Sequence, residues 1–278
     1  MGYKEIKMAR LLRYSRSSNH SLDKNAEHLF SARHALNVYD ENAVYSFIPK
    51  NGCSSMRVSL AIANGCIKDA SEHDWIHKNN DTFSCGLRDL VTAKYTFVIL
   101  RCPFSRLASA YLDKMIGETY ASKRYIELHR RGKAWKQLNG LDNVTFDYFV
   151  RSLSEPDILK GNIHWRPQSD FLVYDEYDDY FCLEDFQVAV ETLKNKINLS
   201  IIDARPLTRH GVSNQYHTEG SGFSVLAPDK LHEMKLQGTL PAYRDFYTEE
   251  LVEIVRSVYK QDLDLYKDIF GDTALMFQ

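Results

Sequence analysis

Tyr45-Ser-Phe-Ile-Pro-Lys-Asn-Gly-Cys-Ser-Ser-Met-Arg57 is the stretch that decides the fold, because it predicts a strand, a polar turn and the start of a helix. Residues 43 to 48 are mostly of types that favour strands. Pro49 ends this run, since proline cannot donate a hydrogen bond to a neighbouring strand. The pattern therefore predicts a buried strand that feeds directly into a turn.

The helix after the turn is marked by apolar residues at helical spacing, namely Met56, Leu60 and Ala63. Gly65 is expected to cap its C-terminus, and Ser54 or Ser55 is expected near its N-terminus. Backbone N–H groups without partners and the positive end of the helix dipole gather at such an N-terminus, which favours phosphate or sulfate. The turn is therefore a candidate anion site.

Lys50 and Gly52 support this interpretation, since the lysine adds positive charge and the glycine lets the backbone approach a ligand closely. The ATP-binding pattern Gly-x-x-x-x-Gly-Lys-Ser/Thr is absent, because here the lysine precedes the glycine. An ordinary ATPase is thus disfavoured. On these residues alone, a plain strand-turn-helix corner with a solvated Lys50 stays equally open.

A second unit of the same kind reads Tyr95-Thr-Phe-Val-Ile-Leu-Arg-Cys-Pro-Phe-Ser-Arg-Leu-Ala-Ser-Ala-Tyr-Leu-Asp-Lys-Met115. The apolar run 95–100 is typical of a parallel strand covered on both faces, and Pro103 suits a first helical turn. Arg101 stands at the carboxyl end of this strand, where ligands bind in open parallel sheets. Arg101 and Ser109 are therefore expected to meet a second anion.

Composition restricts the function classes. The 278 residues are 44% hydrophobic, enough for one large domain, and 35 basic against 37 acidic residues leave a net charge of −2. Nucleic acid is not indicated as a partner, and neither a membrane span nor a signal peptide is expected. The five cysteines are odd in number and lack metal-ligand spacing, which favours free thiols in the cytoplasm and gives Cys53 the role of filling the turn.

The two units together resemble the 5′-phosphosulfate loop and the 3′-phosphate motif of sulfotransferases that use 3′-phosphoadenosine 5′-phosphosulfate (PAPS). The similarity is greatest to carbohydrate sulfotransferases of the chondroitin and dermatan type, although Cys102 replaces the acidic residue usual there. Further segments resemble the same branch, namely His164-Trp-Arg-Pro-Gln168, Tyr180 to Asp185, and Tyr243 to Tyr266 with Thr248 as an N-cap.

The resemblance implies an α/β fold with a central parallel sheet flanked by helices, the P-loop-like sulfotransferase fold. It implies a PAPS site without a metal, formed by Lys50, Asn51, Gly52, Cys53, Ser54, Ser55, Arg101 and Ser109. Lys50 would neutralise the leaving phosphate, and His164 is the first choice for the base that takes the acceptor proton. His210 is the reserve, and the carboxylates of Glu118 and Asp113 stay open.

The expected layout is a loosely attached lead-in over residues 1–40 and one sulfotransferase domain over 41–278, with a helical acceptor-side insertion at about 117–161. Basic and aromatic residues mix over 122–136, which suits a carbohydrate acceptor, as does Trp165, although a solvated helix face is an equal interpretation of 122–136. Two other functions stay open, a P-loop-like kinase that uses ATP and a non-catalytic module that binds a nucleotide or a glycan. A trimmed Golgi-lumenal domain is the less favoured location.

Overall fold

The computed structural model describes residues 10–16, 21–79, 81–117, 119–131, 144–207 and 220–278. In these ranges the strands are β1 (Ala35–Val38), β2 (Ala43–Ser46), β3 (Tyr95–Leu100) and β4 (Asp179–Cys182). The α-helices are α1 (Ala26–Arg33), α2 (Cys53–Ala63), α3 (Trp75–Lys78), α4 (Leu87–Thr92), α5 (Pro103–Lys114), α6 (Tyr120–Arg131), α7 (Phe146–Ser152), α8 (Pro156–Leu159), α9 (Phe186–Ile197), α10 (Pro228–Gln237), α11 (Glu249–Val258) and α12 (Lys260–Phe270). Short 3-10 helices cover Leu22–Lys24, Ala70–Glu72, Gln168–Phe171, Leu183–Asp185, Phe223–Val225, Tyr243–Phe246 and Asp272–Ala274.

The four strands form one sheet in the order β1-β2-β3-β4. β2, β3 and β4 are parallel, with Tyr45 opposite Phe97 and Phe97 opposite Asp179, whereas β1 pairs antiparallel with β2. Every residue of β2 and β3 is buried, as parallel strands covered on both faces require. The predicted α/β fold with a central parallel sheet flanked by helices is confirmed, with β1 as an added antiparallel edge strand.

The described chain divides into two compact units, and each is considered by itself. The first contains the described residues within Met1–Ile48, Gly52–Leu100 and Asp170–Leu207, and thus the whole sheet. The second contains those within Pro49–Asn51, Arg101–Ser169 and Thr208–Gln278. Among the described helices, none combines the length and apolar character that a bilayer crossing needs.

The first unit is held together by apolar side chains of the sheet and of helices α2 and α9. Tyr45 stacks on Phe97 with ring centroids 5.1 Å apart, and Met56 and Leu193 pack into the same cluster with no exposed surface. Burial of each such side chain contributes about 1.5–3 kcal/mol. This cluster fixes β2 and α2, the strand and the helix of the first predicted motif.

Residues 35–38 correct part of the expected lead-in. They form β1, an edge strand paired along its whole length with β2, and Leu36 and Val38 are 2% and 3% exposed. The sequence interpretation missed this strand because it has only four residues and follows a polar region. A loosely attached lead-in is therefore wrong for this segment.

The second unit is mainly helical and has an aromatic core. Tyr111 of α5 packs edge-on against Phe146 of α7 at 5.3 Å, and Phe149 packs against Trp165 at 5.4 Å. The described residues between 117 and 161 include the helices α6, α7 and α8. Thr248 caps α11 by accepting a hydrogen bond from the Leu251 N–H at 3.3 Å, as predicted.

Candidate functional site

Lys50 lies in the turn after β2 with a backbone φ of 74°, a left-handed conformation that residues with a Cβ rarely adopt. Its Nζ lies 3.0 Å from Oδ2 of Asp113, and both side chains are only 12% exposed. Strained backbone of this kind costs on the order of 1–3 kcal/mol and collects at functional sites. The ion pair holds the ammonium group in place despite the strain, which points to a functional role for Lys50.

Arg101 brings the second predicted motif to this lysine. It follows β3 directly, and its guanidinium donates a hydrogen bond of 2.9 Å to the carbonyl of Lys50. The same guanidinium lies 5.4 Å from the centre of the Tyr243 ring, within the range of a cation-π contact. The side chain of Arg101 therefore contacts the backbone of Lys50 in the second unit, and two basic residues predicted from separate motifs are neighbours.

Gln168 joins the residues around both cations. Its Oε1 accepts from Nδ2 of Asn51 at 2.6 Å and from the backbone N–H of Arg101 at 3.0 Å, while its Nε2 donates to the Arg101 carbonyl at 2.8 Å. The amide of Gln168 thus satisfies both the N–H and the carbonyl of Arg101. It therefore fixes the backbone from which the Arg101 side chain extends. Gln168 ends the segment His164-Trp-Arg-Pro-Gln168, and nothing in that segment predicts this role.

Asp262 of α12 holds Gln168 in turn. Its carboxylate is 2% exposed and accepts the backbone N–H groups of Gln168 at 2.6 Å and of Ser169 at 2.9 Å. Burial raises the pKa of this carboxyl, and the two N–H bonds oppose that rise. Asp262 therefore acts as a positioning residue, and no sequence motif pointed to it.

Arg106 of α5 is a buried residue that sequence analysis also missed. It is 2% exposed and donates to three backbone carbonyls, those of Pro49 at 3.1 Å, Arg166 at 2.8 Å and Ile163 at 3.3 Å. It thus ties the residue before Lys50 to the segment that carries His164. The arginine at this place in the second motif was the available signal.

Ser109 shares a helix face with these contacts. Arg106, Ser109 and Asp113 are spaced by three and four residues along α5, which places them on one side of the helix. Arg106 contacts Pro49 and Asp113 contacts Lys50, so the predicted Ser109 lies on the face that meets the turn. Ser109 is 7% exposed.

In the first unit, Gly52 is the N-cap of α2 and has a left-handed conformation with φ 72°. The first helical hydrogen bond runs from the Met56 N–H to the Gly52 carbonyl at 3.1 Å, so the N–H groups of the intervening residues have no acceptor within the helix. No side chain caps this end, and its first turn has no acidic residue. The helix start, one or two residues earlier than predicted, keeps the features of an anion site.

The remaining loop residues differ in how they are used. A methyl group on Gly52 would lie 3.0 Å from Cδ1 of Leu183, and the φ of 72° would strain a residue with a Cβ at this position. The Ser55 hydroxyl accepts the Ala204 N–H at 3.0 Å and is 6% exposed, whereas Cys53 and Ser54 are partly exposed. Ser55 therefore anchors a neighbouring segment as well as the helix start.

His164 is neutral in this environment. Burial, the positive charges of Lys114 and Lys50, and a smaller effect of Arg106 lower its pKa to about 3, with Asp113 opposing. Its Nδ1 lies 2.7 Å from Oδ1 of Asn162, an oxygen that also accepts the backbone N–H of His164 at 3.0 Å. Since that oxygen can only accept, Nδ1 carries the proton and Nε2 keeps a free lone pair.

The low pKa of His164 gives a testable pH dependence of stability. An unfolded histidine titrates near about 6.5, so between that pH and 3 the unfolded chain binds more protons and stability falls as the pH falls. From pH 7 to pH 5 this group should remove roughly 2 kcal/mol from the unfolding free energy. Urea unfolding at the two pH values measures the loss, and His164→Gln should show a smaller one.

An equal loss in the wild-type protein and in His164→Gln would contradict this account. A second readout is the NMR titration of the His164 ring, which should show no protonation between pH 5 and pH 8 in the unliganded protein.

Trp165 corrects a sequence interpretation. It has no exposed surface, and its indole N–H donates to the Ile158 carbonyl at 2.8 Å, so it is a core residue and offers no face to a sugar. Tyr125, in the basic and aromatic segment, is likewise fully buried. Three further members of that segment lie outside the described residues, namely Lys133, Trp135 and Lys136. The alternative bases Glu118 and His210 lie outside them as well.

Asp113, the third alternative base, is engaged by two ammonium groups, Lys50 at 3.0 Å and Lys114 at 3.1 Å. This arrangement favours a positioning role for its carboxylate. In the part of the chain that the structure describes, no three histidine, cysteine or acidic side chains are grouped so that they could hold a metal ion.

A mostly parallel sheet with a glycine-capped helix after its second strand defines an α/β protein of the P-loop-like class. The family model described as "Sulfotransferase family" matches residues 33–268, and the chain belongs to that family. This confirms the resemblance found in the sequence. No solved structure gave a significant match.

The curated relatives are carbohydrate sulfotransferases. Carbohydrate sulfotransferase 14 from Homo sapiens is 27% identical over 229 residues, 76% of this chain and 58% of the relative. The Danio rerio protein of the same name is 30% identical over 147 residues, 49% and 40% of the two chains. Carbohydrate sulfotransferase 9 from Homo sapiens is 28% identical over 190 residues, 62% and 41%. The chain thus spans between 40% and 58% of the length of these relatives.

Proposed function

We propose that this protein transfers a sulfuryl group from PAPS to a hydroxyl group of a carbohydrate. The observation that carries the proposal is the hydrogen bond from Arg101 to the carbonyl of Lys50, because it joins the two anion-binding motifs of the sequence. Family membership supports the reaction type, and the names of the relatives support the carbohydrate acceptor.

The donor residues follow from the charges of PAPS. Lys50 and the backbone N–H groups of residues 51–55 would hold the 5′-phosphosulfate, as helix N-termini and lysine do for phosphates in general. Arg101 and Ser109 would hold the 3′-phosphate, the group that distinguishes PAPS from ATP. The residues present fit these anions, since the guanidinium of Arg101 contacts the backbone of Lys50 and brings two basic residues together.

The transfer requires positioning and charge stabilisation more than covalent chemistry. The acceptor oxygen forms a bond to sulfur while the bond from sulfur to the bridging oxygen breaks, and that oxygen keeps the electron pair. Lys50 would neutralise this developing charge, and Nε2 of His164 would take the proton of the hydroxyl.

The pKa of His164 suits this role only when the donor is bound. In the free protein the charges of Lys114 and Lys50 lower the pKa to about 3, so the imidazole is neutral and weakly basic. The negative charge of a bound donor beside Lys50 would offset them and raise the pKa towards neutrality.

A reducing compartment such as the cytoplasm belongs to the same proposal. The five cysteines, all within the described residues, are free thiols. Free thiols in this number are usual where disulfides do not form.

The test is transfer of label from [35S]PAPS to a panel of carbohydrates by the purified protein. We expect incorporation without added metal, and no release of ADP from ATP with magnesium. Release of ADP would instead support a kinase, and saturable binding of PAPS without transfer to any acceptor would support a non-catalytic module.

A further inference from the structure

Three lysine side chains converge on the C-terminal end of α5 in the second unit. Nζ of Lys50 and Nζ of Lys114 lie 3.0 Å and 3.1 Å from the same oxygen, Oδ2 of Asp113. Nζ of Lys235, from α10, donates to the carbonyl of the preceding residue, Leu112, at 2.9 Å. Two helices and one turn therefore supply ammonium groups to a single place.

These lysines carry more charge than their partners neutralise. For Lys114 and Lys235, the contacts just given are the hydrogen bonds and ion pairs that their ammonium groups make within the described residues. The negative end of a helix dipole contributes about half an elementary charge. Among the described groups that these ammonium groups contact, the dipole and the Asp113 carboxylate leave an excess of positive charge.

The excess of positive charge affects the pKa of Lys235. Burial lowers the pKa of its ammonium group, and the positive charges of Lys50 and Lys114 lower it further, although Asp113 opposes them. An anion placed among the three would relieve this repulsion. The ammonium groups keep N–H donors for such a ligand, since each has three and uses one in the contacts above.

The order of residues along α5 indicates which substrate brings the anion. Arg101, just before α5, and Ser109 are assigned to the 3′-phosphate and come first, and Asp113, which pairs with Lys50 of the 5′ end, follows. Lys114 is the last residue of α5, and Lys235 contacts the carbonyl of Leu112 in the same last turn. Both anionic ends of the donor are thus already matched, and the charges of Lys114 and Lys50 also act on His164, the candidate base for the acceptor.

We propose that Lys114 and Lys235 bind a carboxylate or sulfate group of the acceptor sugar beside the hydroxyl that is sulfated. This rests on the proposed function and assigns recognition of an acidic acceptor to residues outside the basic and aromatic segment at 122–136. In that segment, the described Arg124 is paired with Glu127 at 2.6 Å on an exposed helix face.

The test uses the protein saturated with 3′-phosphoadenosine 5′-phosphate (PAP), so that the donor site is filled, and compares glucuronate with glucose as probes by NMR titration. The two sugars differ by one carboxylate. We expect glucuronate to bind at least about tenfold more tightly than glucose, the value of one charge-assisted hydrogen bond. This preference should disappear in Lys114→Gln/Lys235→Gln and weaken at high salt.

Lys230→Gln is the matched control, because Lys230 lies on the same helix α10, is 63% exposed and pairs with Glu233. It should keep the preference, and Lys235→Arg, which retains the charge, should keep most of it. Affinity for PAP should remain within about threefold of wild type in the double variant. Neither lysine is assigned to a phosphate of the donor, so PAP should lose no contact.

The outcomes separate the two proposals. If PAP does not bind to the wild-type protein, the proposed function fails. If PAP binds but glucuronate shows no preference, or keeps it in the double variant, the assignment of Lys114 and Lys235 is wrong. A large loss of PAP affinity in the double variant would assign the two lysines to the donor and overturn it as well.

Discussion

Replacement of Lys50 by alanine is expected to lower kcat/KM for sulfuryl transfer by about 100- to 1,000-fold, the usual effect of removing one group that stabilises developing charge. Negative charge grows on the bridging oxygen as its bond to sulfur breaks, and Lys50 is the lysine of the turn that would meet it. Steady-state kinetics with PAPS measure the loss. Folding should survive, because Asp113 keeps Lys114 as a partner at 3.1 Å.

A glycine at the same position separates function from stability. Lys50 has φ 74°, which glycine adopts without strain and alanine does not. Lys50→Gly should therefore be as inactive as Lys50→Ala but more stable than it by about 1 kcal/mol in urea unfolding. Activity within tenfold of wild type in either variant would contradict the role of Lys50, and equal stability of the two would contradict the strain.

Replacement of Arg106 by alanine is expected to have the largest effect on stability, about 3–5 kcal/mol of unfolding free energy, because three backbone carbonyls lose their donor at about 1–3 kcal/mol for each one left unsatisfied. The side chain is 2% exposed and satisfies the carbonyls of Pro49, Ile163 and Arg166, which would be left without it. Guanidinium chloride unfolding measures the change, and activity should fall with it because the turn and the His164 segment lose their tie.

Two variants control this result. Arg33 is 70% exposed and lies 3.3 Å from Asp81. Arg33→Ala should therefore lower the unfolding free energy by less than about 0.5–1 kcal/mol. Arg106→Lys should recover only part of the loss, because an ammonium group cannot reach three carbonyls as the planar guanidinium does. If Arg106→Ala is instead within 1 kcal/mol of wild type in unfolding free energy, the three hydrogen bonds of Arg106 do not stabilise the fold as proposed.

The elements that position the site could be predicted because each has a strong local signal. The apolar run 95–100 and Pro103 gave β3 and the start of α5 as the structure has them. Thr248 as an N-cap was confirmed for the same reason. The position of Arg101 beside the turn was also predictable, since the carboxyl ends of parallel strands meet at one edge of a sheet.

The network behind the cations could not be predicted. Asp262 and Gln168 are 94 residues apart, and no local pattern announces a contact at that distance. The left-handed conformation of Lys50 is imposed by its surroundings, because lysine itself does not favour it. Trp165 was misjudged, since its burial depends on helices elsewhere in the sequence.

The most direct test of the central claim is calorimetric titration of the purified protein with PAP and with AMP, which lacks the 3′-phosphate. We predict that PAP binds at least about 100-fold more tightly, as two charge-assisted contacts to the 3′-phosphate would give, and that Arg101→Ala loses most of this preference. Equal affinity for the two nucleotides, or a preference for ATP with magnesium, would contradict a PAPS-dependent sulfotransferase.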